Sequence, residues 1–342
     1  MEKIKIGQIG IGHNHAEAKM LAVRKFPELF EVVGYAEENE GWIEKRGHFK
    51  GYEGIPRLTV DEVISRSDAV LVECDVCDLT KYAKMCVDAG KHIHMDKPAS
   101  GTLEEYKYVL DTAEARGLVV QLGYMYRYNP AVQKCLEHIK NGDLGEIYSL
   151  NAEMSTFHPV EYKKWLCNFR GGIMYILGSH LVDLIVYMLG EPKRVTPFLK
   201  HTGLDGVDFE DNNLAVLEYD KALARIFVSS VEVNGYGRRQ LVVSGSKGTV
   251  DICPLESVTT EESPITMRYS DTGIALRPYA DCKRSEIFED DARCRYDLMM
   301  QDFYAYINGT KQNPFTYRHD YLVQKVLLDI IGGECINGTN IN

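Results

Sequence analysis

Residues 10–15 read Gly-Ile-Gly-His-Asn-His, after the β-rich run Ile4 to Ile9 and before a helix-forming stretch that starts at Ala16. A strand that turns through two glycines into a helix is the arrangement that receives a dinucleotide diphosphate. Gly10 permits the tight turn, Gly12 lets the backbone approach the phosphates, and the helix N-terminus offers amide donors. His15 stands where the third glycine of that fingerprint is expected. The next β-rich run, Phe30 to Ala36, ends in Glu37-Glu38. A carboxylate there accepts hydrogen bonds from both adenosine ribose hydroxyls and repels a 2′-phosphate, so NAD is favoured over NADP; the plain alternative is a solvated acidic turn. Further along, His94-Met95-Asp96-Lys97-Pro98 closes another apolar strand. At the C-terminal edge of a parallel sheet Lys97 is placed to polarise a hydroxyl or carbonyl and share its proton, the plain alternative being a surface lysine before a turn.

Other chemistry-bearing residues have blander readings. Cys74 and Cys77 form a single CxxC, which lacks the second pair of a structural zinc site and the setting of a redox motif. His13, His15, His92 and His94 make two HxH pairs that would bind a divalent ion if all four met at the strand ends; cofactor contact or core packing is the expectation, and no metal is assigned. Tyr124, Tyr126, Tyr128, Phe157, His158, Trp165 and Tyr175 are aromatic packing candidates whose faces and hydroxyls would also suit a sugar ring.

The elements needed to position these residues follow from the pattern. Strands at Ile4 to Ile9, Phe30 to Ala36, Asp68 to Cys74, His92 to Met95 and Leu118 to Leu122 alternate with helices at Ala16 to Phe26, Leu79 to Ala89 and Leu103 to Arg116. That is the rhythm of a doubly wound parallel sheet, expected over residues 1–124. From 125 to 342 the texture becomes α+β. Asn129-Pro130 opens a helix to about Lys140, strands are expected at 146–154, 213–219, 224–233, 239–243 and 249–252, a helix at 174–189, and terminal helices near 295–307 and 319–331. Several consecutive strands imply an open, largely antiparallel sheet. The 342 residues match two domains at about 150 residues each. Hydrophobic residues at 45% exclude a disordered scaffold, and 39 basic against 50 acidic residues, a net charge of −11, disfavour nucleic acid and anionic membrane as partners. Nine scattered cysteines and the lack of an N-terminal apolar signal core point to a soluble protein of the reducing cytoplasm.

The order of these motifs resembles the glucose-fructose oxidoreductase and inositol dehydrogenase family (Gfo/Idh/MocA). The resemblance rests on the glycine loop, the acidic end of the second strand, Ala89-Gly90-Lys91-His92 leading to Asp96-Lys97-Pro98, and Tyr126-Arg127-Tyr128-Asn129-Pro130. It continues through Gly142-Asp143-Leu144-Gly145-Glu146, Gly171-Gly172, Gly178-Ser179-His180-Leu181-Val182-Asp183 and Gly245-Ser246-Lys247-Gly248-Thr249. It implies a Rossmann domain that binds a nicotinamide dinucleotide, a C-terminal domain for substrate and oligomer contacts, and hydride transfer at a secondary alcohol of a sugar, polyol or sugar derivative. A dimer or tetramer is expected. Under it Lys97 and His180 are the catalytic residues, the imidazole accepting the hydroxyl proton as hydride leaves. Gly10, Gly12, His13, Asn14, Glu37, Cys74, Asp96 and Lys97 line the cofactor, and Asp183, Tyr126, Arg127 and Trp165 the substrate. Two departures stand out. Ile176 occupies a position, one turn before His180, where family dehydrogenases often carry aspartate. Cys74-Asp75-Val76-Cys77-Asp78 replaces a Thr-Pro stretch. Two other outcomes share the cofactor: glycoside cleavage through transient oxidation and elimination, and a non-catalytic dinucleotide or sugar sensor.

Overall fold

The computed structural model describes residues 2–257, 264–271, 284–288 and 295–334. Cys282, Cys294 and Cys335 lie outside them. The chain forms two compact units, Met1–Met125 with Arg293–Gln324, and Tyr126–Ala292 with Lys325–Asn342. The stretch 293–324, placed by the sequence reading within 125–342, thus groups with the first unit.

The first unit runs β1 (Ile4–Ile9), α1 (Ala16–Arg24), β2 (Phe30–Ala36), α2 (Glu40–Arg46), α3 (Val60–Arg66), β3 (Ala69–Val72), α4 (Leu79–Asp88), β4 (His92–Met95), α5 (Leu103–Ala115) and β5 (Val120–Leu122). All five strands are parallel, in the order β2-β1-β3-β4-β5. This is the expected doubly wound sheet, and its order reverses at β1, which places a ligand crevice at the C-terminal ends of β1 and β3. β3 is Ala-Val-Leu-Val with every side chain buried, as a central strand covered on both faces demands. Capping boxes Thr59/Glu62 and Thr102/Glu105 start α3 and α5. The sequence reading placed no helix between 37 and 67, where α2 and α3 form; α2 is short and buries no residue fully, so its apolar stripe is weak.

The second unit contains α6 (Pro130–Asn141), β6 (Ile147–Glu153), α7 (Val160–Leu166), α8 (Ser179–Leu189), β7 (Arg194–Lys200), β8 (Asn212–Glu218), β9 (Leu223–Ser229), β10 (Gln240–Gly245), β11 (Gly248–Ile252), β12 (Ile265–Asp271) and β13 (Arg284–Phe288). Its eight-stranded sheet has the order β13-β12-β11-β10-β6-β9-β8-β7, antiparallel except where β6 runs parallel to β9. Alternate residues of β8, β10 and β11 are buried, the period-two signature of a sheet with one covered face. The helix expected over 174–189 is a π-turn, Met174–Gly178, followed by α8. The last two helices are α9 (Asp297–Ile307) and α10 (Tyr317–Ile331). Among the described residues no helix is long and apolar enough to cross a membrane.

Candidate active site

The first unit gathers its chemistry at the crevice between β1 and β3. Gly10 has φ +85°, and a Cβ there would collide with the Cα and backbone nitrogen of Cys74, so the glycine is required both by its angle and by its neighbour. Cys74 therefore meets the turn through its backbone, while its thiol is buried and pushed well above its ordinary pKa, first by burial and then by surrounding carboxylates. Around the turn, the Gly10 amide donates to Ala36 O at 2.7 Å and the His13 amide to Glu73 O at 3.0 Å. The Ile11 amide donates to Glu37 Oε2 at 2.9 Å, and the Asn39 amide to Glu37 Oε1 at 2.8 Å. Glu37 is thus locked at the end of β2 against the glycine turn, whereas Glu38 turns aside to accept the Tyr82 hydroxyl at 2.6 Å. His15 is the N-cap of α1 in right-handed conformation, so its backbone angles do not require glycine.

Behind the turn lies a buried cluster that the sequence reading did not find. Asp96, fully buried, accepts the Lys97 amide on Oδ1 at 2.7 Å. Its Oδ2 meets Lys19 Nζ at 2.5 Å, His13 Nδ1 at 2.9 Å and His15 Nδ1 at 3.1 Å. Lys19, also fully buried, reaches Glu73 Oε1 at 3.0 Å. Burial favours protonation of Asp96, but His13, Lys19 and His15 outweigh it and hold the carboxyl well below its usual range. Burial pushes Glu73 up further than Lys19 draws it down. Burial lowers both imidazoles more than Asp96 raises them, His15 to about 4. Asp96 raises Lys19 despite burial. Asp96 is therefore occupied by protein donors, and its evident effect is to fix the backbone of Lys97, itself 2% exposed.

His13, His15 and Asp96 present ligand atoms within 4.8 Å of one another, a spacing that would admit a metal. The ammonium of Lys19 already stands beside the shared oxygen, so the cation of this cluster is the lysine. His92 stays apart, its Nδ1 accepting the Val119 amide at 2.9 Å; His94 Nδ1 pairs with Gln121 Oε1 at 2.8 Å, and its Nε2 lies 3.8 Å from Glu73 Oε1 at the edge of the cluster. A signal for Lys19 was present, since Ala16, Lys19, Met20 and Val23 form the buried stripe of α1 and His15 is one turn before Lys19. Gly123 completes the pocket: a Cβ there would stand 2.7 Å from Lys19 Nζ.

In the second unit His180 is the second residue of α8, buried, directly after the π-turn. Such turns recur at functional sites because they rotate the following side chains. Its ring meets the Tyr126 ring edge-on at 4.9 Å between centroids. The Tyr126 hydroxyl donates to Glu256, which Arg239 Nη1 also reaches at 2.5 Å, and Arg239 Nη2 donates to Thr156 Oγ1 at 2.6 Å. Burial, then Glu256, pushes the Tyr126 phenol well above its ordinary value. Arg127 and Asp183 face each other: Arg127 Nε and Nη2 contact Asp183 Oδ1 at 3.1 and 2.7 Å, and Nε contacts Oδ2 at 3.0 Å, with both residues about 2% exposed or less. Asp183 is thus committed to a bidentate ion pair. Trp165 lies in an aromatic row, 5.2 Å from Tyr162 and 4.8 Å from Phe169. Ile176 sits buried inside the π-turn, its carbonyl accepting the Ser179 hydroxyl at 3.0 Å. Arg239 and Glu256, distant in sequence from Tyr126, carried no local motif.

Residues 4–124 match the model of an oxidoreductase family with an NAD-binding Rossmann fold, and residues 132–251 that of the GFO/IDH/MocA C-terminal domain. Inositol 2-dehydrogenase 2 of Saccharopolyspora erythraea is 29% identical over 280 residues, covering 75% of each chain. Glucose-6-phosphate 3-dehydrogenase of Bacillus subtilis is 29% identical over 191 residues, 54% of this chain and 53% of that one. A levoglucosan dehydrogenase solved with NADH and levoglucosan has the same fold, with a TM-score of 0.79, 17% identity and 97% of each chain covered. With both halves matched in order, the chain belongs to the Gfo/Idh/MocA family of oxidoreductases.

Proposed function

We propose that the protein is an NAD-dependent dehydrogenase of a secondary alcohol on a sugar, polyol or sugar derivative. The observation that carries the cofactor choice is Glu37, whose carboxylate is held by the Ile11 and Asn39 amides at the end of β2. A fixed negative charge there receives ribose hydroxyls and opposes a 2′-phosphate. The cradle fits the group: Gly10 brings the turn against Cys74, and the amides of Gly12 and Asn14 are not among those spent on Ala36, Glu37, Glu73 and His13. When bound, the nicotinamide supplies the hydride acceptor or donor. Lys97 and His180 are the residues assigned to the hydroxyl proton, Lys97 with its backbone fixed by Asp96 and His180 with Tyr126 packed on its ring. Arg127 paired with Asp183, and the row containing Trp165, form the substrate side. The similarity to an inositol 2-dehydrogenase and a glucose-6-phosphate 3-dehydrogenase supports the sugar and polyol class.

The reading also takes the protein as a cytoplasmic homo-oligomer, dimer or tetramer. Phe198, Leu214 and Phe227 share one rung across β7, β8 and β9 on the less buried face of the sheet, a surface suited to a second copy. The test of the catalytic assignment is Lys97→Ala and His180→Ala, each expected to lower kcat by about 10²-fold or more, with NAD affinity retained in His180→Ala. A near-parental rate in either variant removes that residue from the mechanism.

A further inference from the structure

α2 folds back onto the glycine turn. Trp42 Nε1 and Cε2 lie 2.8 and 3.0 Å from the point a Cβ on Gly12 would occupy, and the Asp75 amide nitrogen lies 3.1 Å from the same point. The indole edge therefore packs against Gly12, and any side chain at position 12 would have to displace it. Arg46, one turn further along α2, stacks at 4.7 Å from the indole centroid. Its Nη1 donates to the His13 carbonyl at 2.5 Å and its Nη2 to Asn14 Oδ1 at 2.7 Å. A half-buried guanidinium is thus braced by an aromatic ring beside Gly12 and Asn14, whose amides are the diphosphate donors named above. Neither residue belongs to the glycine fingerprint or to the acidic end of β2.

We propose that Arg46 is a diphosphate-binding residue of the dinucleotide site and that Trp42 is the positioning residue that holds it there. A guanidinium offers paired donors matched to phosphate oxygens, and stacking on an indole fixes its plane before the anion arrives. The inference rests on the reading of the first unit as a dinucleotide site and adds a charged contact from α2.

The test uses the full-length protein and ADP-ribose, which carries the diphosphate without nicotinamide. Calorimetry of Arg46→Met is expected to show ADP-ribose bound about tenfold or more weakly, with adenosine, which lacks phosphate, bound as in the parent. Trp42 and Trp165 are the two tryptophans of the chain, so Trp165→Phe isolates Trp42 emission. That emission is expected to change on saturation with ADP-ribose and to stay constant with adenosine, a readout a purely structural Trp42 would not give. Parental ADP-ribose affinity in Arg46→Met, or unchanged Trp42 emission at saturation, overturns the proposal. Equal losses for ADP-ribose and adenosine also overturn it, since they mark Arg46 as a loop support only. If the parent itself binds no ADP-ribose, the dinucleotide reading fails and this proposal falls with it.

Discussion

Lys19→Met removes the buried ammonium from between Glu73 and Asp96 while keeping much of the side-chain volume. Lys19 is fully buried, 2.5 Å from Asp96 Oδ2 and 3.0 Å from Glu73 Oε1, so the substitution leaves Asp96 as a buried anion without its ammonium partner. Breaking such a pair costs about 3–5 kcal/mol. Part of that loss is recoverable by a proton. Lys19 is one of the charges that lower His13, and Asp96 raises it, so without the ammonium His13 becomes the natural proton acceptor. A histidine whose folded pKa rises above its unfolded value adds stability fully present below the unfolded pKa and lost as pH climbs through the folded one. The penalty of Lys19→Met is therefore expected near 3–5 kcal/mol at pH 8 and smaller by about 1 kcal/mol or more at pH 6. Urea unfolding in the Trp165→Phe background follows the first unit through Trp42. A loss below about 1 kcal/mol, or one equal at both pH values, would refute the view that this ammonium balances the cluster.

Three further outcomes follow from the same geometry. Glu37→Ala should weaken NAD about tenfold by calorimetry and NADP less, because the fixed charge opposing the 2′-phosphate is gone; equal losses would take Glu37 out of the ribose site. Asp183→Asn should destabilise the second unit by about 3 kcal/mol, since Arg127 is left buried without its anion; unchanged thermal stability would contradict that the ion pair is structural. Burial holds His15 and His158 at about 4, against 6.5 in the unfolded chain. The unfolded state takes up protons first, so stability should fall as pH drops from about 6.5 to about 4, by about 3 kcal/mol per histidine. Urea midpoints that stay level across that window would contradict it.

Much of this site was legible in the sequence because its parts are local. A glycine turn after a strand, an acid at the end of the next strand and a lysine at the end of β4 are each short-range signals, and the parallel sheet sets them along one edge. What escaped was built by long-range contact. Asp96 is expected from the sequence to line the cofactor and Glu73 looks like an ordinary strand-end acid; the pairing of β3 with β4 brings both to Lys19 from α1. Tyr126, Arg239 and Glu256 span more than a hundred positions before they meet. The helix expected across 174–189 is continuous in pattern, yet an extra residue per turn at Met174–Gly178 is invisible to apolar periodicity. Asp183 shows the converse: its helix position was read correctly, but its commitment to Arg127 depends on a partner 56 residues away.

The most direct test of the central claim is nicotinamide absorbance on the purified protein with NAD and a panel of sugars, sugar acids and polyols. The account predicts that one class drives NADH formation in proportion to substrate consumed, with NADP much the poorer acceptor. Tightly bound NAD with no net reduction by any member, while a glycosidic bond is cleaved, would contradict it in favour of transient oxidation and elimination.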